Sequence, residues 1–131
     1  MIFIGHKFIK SKPFYHIEDI DTILQTPPNS TVYFDFDEKN LDIIEYANLN
    51  DVSFALHVEN ITQIVYASAL NASFIVVKKE LAKTAQNLAN NYLFDAKILV
   101  KIQNNDEIEE LALLGVDGVI FSCGIVKLVN P

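Results

Sequence analysis

From Thr31 onward the apolar positions fall into one repeating unit: a short apolar run, a polar tip, then a segment with apolar residues three and four apart. The runs begin near Thr31, Val52, Ser73, Asp95 and Asp117, at steps of 21 or 22 residues. A β-type run alternating with a helical stripe at so regular a step predicts consecutive βα units feeding one parallel sheet. Residues 52–58 and 98–102 are almost continuously apolar, as strands covered on both faces tend to be. Helical stripes follow at Leu41, Ile44 and Ala47, at Ile61, Ile64, Val65 and Ala69, and at Leu81, Ala82, Ala85, Leu88, Ala89 and Tyr92. A last stripe runs through Ile108, Leu111 and Ala112. Asn60 with Gln63, and Asn104 with Glu107, stand in capping-box relation. Asp37 suits an N-cap, Asn71 a left-handed cap, and Gly115 a helix stop.

The first thirty residues are less regular. Residues 2–9 read either as one strand or as a hairpin turning at Gly5-His6, and the single strand is the preferred reading. Ile17, Ile20, Ile23 and Leu24 recur at helical spacing until Pro27-Pro28 ends the run. At the other end, residues 125–129 read as a closing helical turn or two. This makes one α/β domain over residues 1–131. Five or six mainly parallel strands are too few to close an eight-stranded barrel. The expected fold is therefore an open three-layer sheet with helices on both faces. The alternative is a partial TIM-type barrel completed by oligomerisation.

Composition narrows the chemistry. Ten basic residues face seventeen acidic ones, a formal charge of −7, and none of the ten is arginine. Without a basic cluster, nucleic acid and anionic membrane surfaces are not expected partners. Without the guanidinium fork, any anion must be held by lysine, hydroxyl or backbone N–H groups. No apolar run approaches the ~20 residues of a membrane span, and Gly5-His6-Lys7 interrupts the apolar start before it resembles a secretory signal. One cysteine, Cys123, allows no internal disulfide, so a cytoplasmic location is expected. A homo-oligomer is expected from the apolar content, half of all residues.

In a parallel α/β sheet ligands bind beyond the carboxyl ends of the strands. The tips there share a pattern: Asp35 and Asp37, His57 and Glu59, Lys78 and Glu80, Lys101 and Gln103, then Ser122. The spacing of two keeps each pair on one side of an extended strand. The candidate ligand rim is thus Asp35, Asp37, His57, Lys78, Lys101 and Ser122, suited to a small anionic metabolite. Polar tips also follow from topology alone, since strand ends meet solvent and helix starts favour acids. That plainer account ranks first, and for Asp37 capping is the better explanation. Asp35, Asp37, His57 and Glu59 offer metal-ligand atoms but no compact ligand motif, so neither metal nor cofactor is expected. Glycine-rich nucleotide loops and the G-x-S-x-G elbow are absent.

Two local resemblances concern the last third. Lys101-Ile102-Gln103-Asn104, Glu107-Ile108 and Asp117-Gly118-Val119-Ile120 together resemble the Lys-Ile-Glu-Asn to Asp-Gly-Ile segment of pyruvate kinase. In that family the lysine is catalytic, the glutamate binds metal, and a later aspartate completes the metal site. Lys101 matches, but Gln103 replaces the glutamate and Ser122-Cys123-Gly124 supplies no aspartate. The resemblance therefore implies lost metal chemistry. Residues 115–127 are similar to the closing strand and short helix of the tryptophan synthase α chain, both (βα)8 barrels. The matching positions for that family's phosphate-holding turn are Ser122, Cys123 and Gly124, while its preceding glycine-rich loop is replaced by Gln103 and Asn104. Each resemblance covers a quarter of the chain or less.

The reading that ranks first for function is a binding or interaction module with no catalytic residues. The alternative is a small lyase- or isomerase-type enzyme acting on a phosphorylated or carboxylated metabolite through Lys101, His57 and Asp35.

Overall fold

The computed structural model describes residues 1–128. Eight strands form one all-parallel sheet: β1 (Ile2–Ile4), β2 (Phe14–His16), β3 (Thr31–Asp35), β4 (Ser53–His57), β5 (Phe74–Lys78), β6 (Lys97–Ile102), β7 (Gly118–Phe121) and β8 (Ile125–Lys127). Five helices lie between them: α1 (Ile20–Ile23), α2 (Leu41–Leu49), α3 (Ile61–Ala69), α4 (Ala82–Asn91) and α5 (Glu107–Leu114). The strand order is β1-β7-β6-β5-β4-β3-β2-β8.

That order cannot be laid flat. β7 and β8 stand six places apart, roughly 29 Å at the ~4.8 Å spacing of neighbouring strands. Only three residues lie between Phe121 and Ile125, and the four Cα steps across them reach at most about 14 Å. The sheet therefore curls until its two edges face each other, and the 3-10 turn Ser122–Gly124 crosses the gap. The Cys123 thiol donates to the Gly5 carbonyl at 2.9 Å in that crossing. Registry slips add strand tilt: Ala55 faces Phe74, and Leu99 faces Gly118, each two residues beyond an even start.

The curl gives the sheet two unlike faces. On the outside, Val32, Phe34, Phe54, Leu56, Ile75, Val77, Ile98 and Val100 pack with the buried residues of all five helices in one cluster. On the inside, Ile4, Phe14, Tyr33, Ala55, Val76, Leu99 and Ile120 form a second cluster, one residue from each of β1 to β7, with Ile125 of β8 against it. The rings of Phe14 and Phe74 meet at 5.0 Å across this interior, although β2 and β5 are three places apart in the sheet. Each large aliphatic side chain fully buried on either face contributes about 1.5–3 kcal/mol.

The repeat units stand where their periodicity places them, but four expectations are corrected. Among the described residues the strands number eight, not five or six. Phe14–His16 and Ile125–Lys127 are three residues each, too short to carry an alternation signal; the first is held between β3 and β8, the second by its ladder to the first. The closing helical turn expected at residues 125–129 is thus a strand, with Val129 outside the described residues. The open three-layer sheet is also corrected, because every helix packs on the convex face. The partial-barrel alternative fits, and its eight strands come from one chain. β1 ends at Ile4, so neither the strand over 2–9 nor the hairpin forms; Ile17 is buried ahead of the short α1.

Caps follow the sequence closely. The Asn60 side chain accepts from Gln63 N–H at 2.9 Å, while Gln63 reaches back to Glu59 N–H at 2.8 Å. Asp37 accepts from Lys39 N–H at 3.1 Å, and Asn71 and Gly115 take positive φ. Asn104 does not cap α5, which starts later, yet the Glu107 carboxylate still accepts from Asn104 N–H at 3.2 Å. Ile61 and Val65 prove exposed, and α3 is buried through Ile64 and Ala67.

Gly5 holds φ +87°, and a Cβ there would lie 2.5 Å from the Gly124 backbone nitrogen; Gly115 holds φ +84° with open space around it. Gly115→Ala is expected to cost only left-handed strain, about 1–2 kcal/mol. Gly5→Ala adds a collision at the sheet's closure and is expected to cost about 1–3 kcal/mol more. Urea unfolding of the two variants checks the difference.

Candidate functional site

The inner apolar layer fixes what stands above it. Two residues further along each strand, on the same side, Phe14 is followed by His16, Tyr33 by Asp35, Ala55 by His57, Val76 by Lys78, Leu99 by Lys101 and Ile120 by Ser122. Six polar side chains thus crown the carboxyl mouth of the curled sheet. Five of them, His16, Asp35, His57, Lys101 and Ser122, line a cavity of about 290 Å³, with Tyr33 and Ile125 completing its wall.

His57 is the most constrained of these groups. Its Nδ1 lies 3.5 Å from Asp35 Oδ1 and 3.4 Å from Glu59 Oε1. Burial lowers its pKa from the ordinary 6.5, and the opposing pull of Glu59 and Asp35 does not restore it; Lys101 and Lys78 lower it further. The ring is therefore neutral at pH 7, and the carboxylates beside Nδ1 favour its proton there, leaving the Nε2 lone pair free. His16 is lowered as well, chiefly by burial, and its ring meets Tyr33 edge-on at 5.3 Å. Tyr33, 4% exposed, has its phenol pushed up to about 12, first by burial and then by Asp35 and Glu59. It enters any neutral-pH chemistry as a hydroxyl donor.

Of the expected rim, Asp35, His57, Lys101 and Ser122 come together on the cavity. Lys78 stands beside Lys101 in register but turns to Glu59, 3.5 Å away. Asp37 caps the 3-10 turn before α2 and takes no part. His16, Tyr33 and Ile125 were not expected. Phe14-x-His16 carries the same apolar-then-polar step as the other tips, which is the signal that marks it. Tyr33 lies in the largely apolar run of β3, where nothing in the sequence marks it as a site residue. Among the described residues no group of three or more His, Cys, Asp or Glu is placed to hold a metal ion. No helix among them is long and apolar enough to cross a membrane. No family model matches the chain, and no curated protein matches it in sequence.

Because both imidazole pKa values lie below 6.5 in the folded protein, the unfolded chain binds more protons as the pH falls through that value. Stability from these groups is then full above pH 6.5, declines toward the lowered folded values, and levels off beneath them. Urea unfolding between pH 7.5 and 5 is expected to show this decline. His57→Gln and His16→Gln should each flatten it.

Proposed function

We propose that the protein is a small cytoplasmic binding module that takes a small anionic metabolite at the carboxyl mouth of its sheet. One observation carries this reading. Lys101 meets no carboxylate among the described residues, yet its side chain lines a concave site with the Ser122 hydroxyl and two neutral imidazoles. An unpaired ammonium beside the Ser122 and Tyr33 hydroxyl donors is suited to a carboxylate or a phosphate. The acidic surface, −7 overall, disfavours large polyanions and leaves a small ligand as the fitting one. At a tenfold excess over its Kd, pyruvate or inorganic phosphate is expected to raise the melting temperature by roughly 5 °C. Lys101→Met removes the rise; absence of any rise with either anion in the unaltered protein refutes the reading.

A second reading rests on His57 itself. A neutral imidazole with Nδ1 between two carboxylates is set as a general base through Nε2, as a lyase or isomerase acting on a carboxylated substrate requires. Lys101 then stabilises the enolate that forms. This reading expects hydrogen–deuterium exchange at the methyl group of pyruvate in D2O, followed by NMR, faster than with His57→Gln. Equal rates leave the binding module alone.

A further inference from the structure

The charges around the cavity extend the proposed reading, on which this inference rests. Glu59 has the Lys78 ammonium at 3.5 Å, and Lys127 has Glu18 at 3.8 Å. The two full charges that line the cavity itself are treated differently. Among the described residues the Asp35 carboxylate meets only the imidazole of His57, at 3.5 Å, and the Lys101 ammonium meets no carboxylate. They do not pair with each other either. One cavity thus presents an unmatched ammonium and an unmatched carboxylate, separated by neutral walls: Tyr33, Ile125 and two imidazoles.

A simple anion satisfies only half of that arrangement. Bound at Lys101, it leaves Asp35 facing the ligand with a charge of the same sign. A ligand carrying both charges satisfies both, and desolvating each lining group is then matched by an opposite charge. The space, about 290 Å³, lies at the lower end of cavities that hold small molecules. We infer that the ligand is a small zwitterion of the α-amino acid class, its carboxylate on Lys101 and Ser122 and its ammonium on Asp35. The neutral Tyr33 and Ile125 then face its side chain, which favours a short one.

Calorimetry with glycine, L-alanine, L-serine and L-threonine tests this, set against lactate, ethylamine and inorganic phosphate. At least one amino acid is expected to bind at least tenfold more tightly than lactate, which has the alanine skeleton without the ammonium. Asp35→Asn should bring that amino acid down to the lactate level, and Lys101→Met should abolish both. Circular dichroism is expected to show that each variant keeps its fold, since Asp35 and Lys101 are exposed. Lactate or phosphate binding as well as the amino acids, or an Asp35→Asn variant with unchanged amino-acid affinity, overturns the zwitterion and leaves the anion site standing. Silence from every probe overturns both.

Discussion

The short crossing from β7 to β8 governs this molecule. Three residues join strands that lie six places apart in the sheet order, and a chain of that reach closes only around a curled sheet. Everything else is a consequence of that closure. The helices are driven to the outside, because the concave face has no room for them. The inside fills with one small apolar layer, in which Ala55, Val76, Leu99 and Ile120 are fully excluded from solvent. Gly5 and Gly124 pass each other where a Cβ on either would collide with backbone. The closure is therefore built of backbone fit, and bulk at either glycine opens it.

Curling also converts a row of strand tips into a ring. On a flat sheet His16 and Lys101 would lie far apart, since β2 and β6 are separated by three strands. On the curled sheet both line one cavity with Asp35, His57 and Ser122. The same apolar layer that closes the interior below also withdraws His57, His16 and Tyr33 from water, so packing and titration are coupled. Burial leads the shift for each of the three, ahead of any neighbouring charge. The floor thus decides that the histidines are neutral, and it leaves Asp35 and Lys101 as the full charges among the described residues that line the cavity.

Strand and helix identity over residues 31–122 was legible in the sequence, because periodicity is local. A strand buried on both faces is continuously apolar, an amphipathic helix repeats at three and four, and the caps at Asp37, Asn60 and Gly115 follow from side-chain chemistry a few residues away. The placement of Asp35, His57, Lys101 and Ser122 at one end was legible too, since βα repeats run parallel. Three-residue strands have no such signature. Phe14–His16 is laddered between β3 and β8, and Ile125–Lys127 is laddered to Phe14–His16; pairing partners 111 residues apart in sequence leave no local trace.

By itself, then, the sequence determined the repeating unit, the shared direction of its strands and the polar character of their tips, all set by interactions spanning a few residues. Tertiary structure alone decided that the sheet has eight strands, that it curls with its helices on one side, and that His16 and Tyr33 join the site. The reason is physical: curvature arises from how distant edges meet, and burial of a side chain depends on what the rest of the chain brings over it.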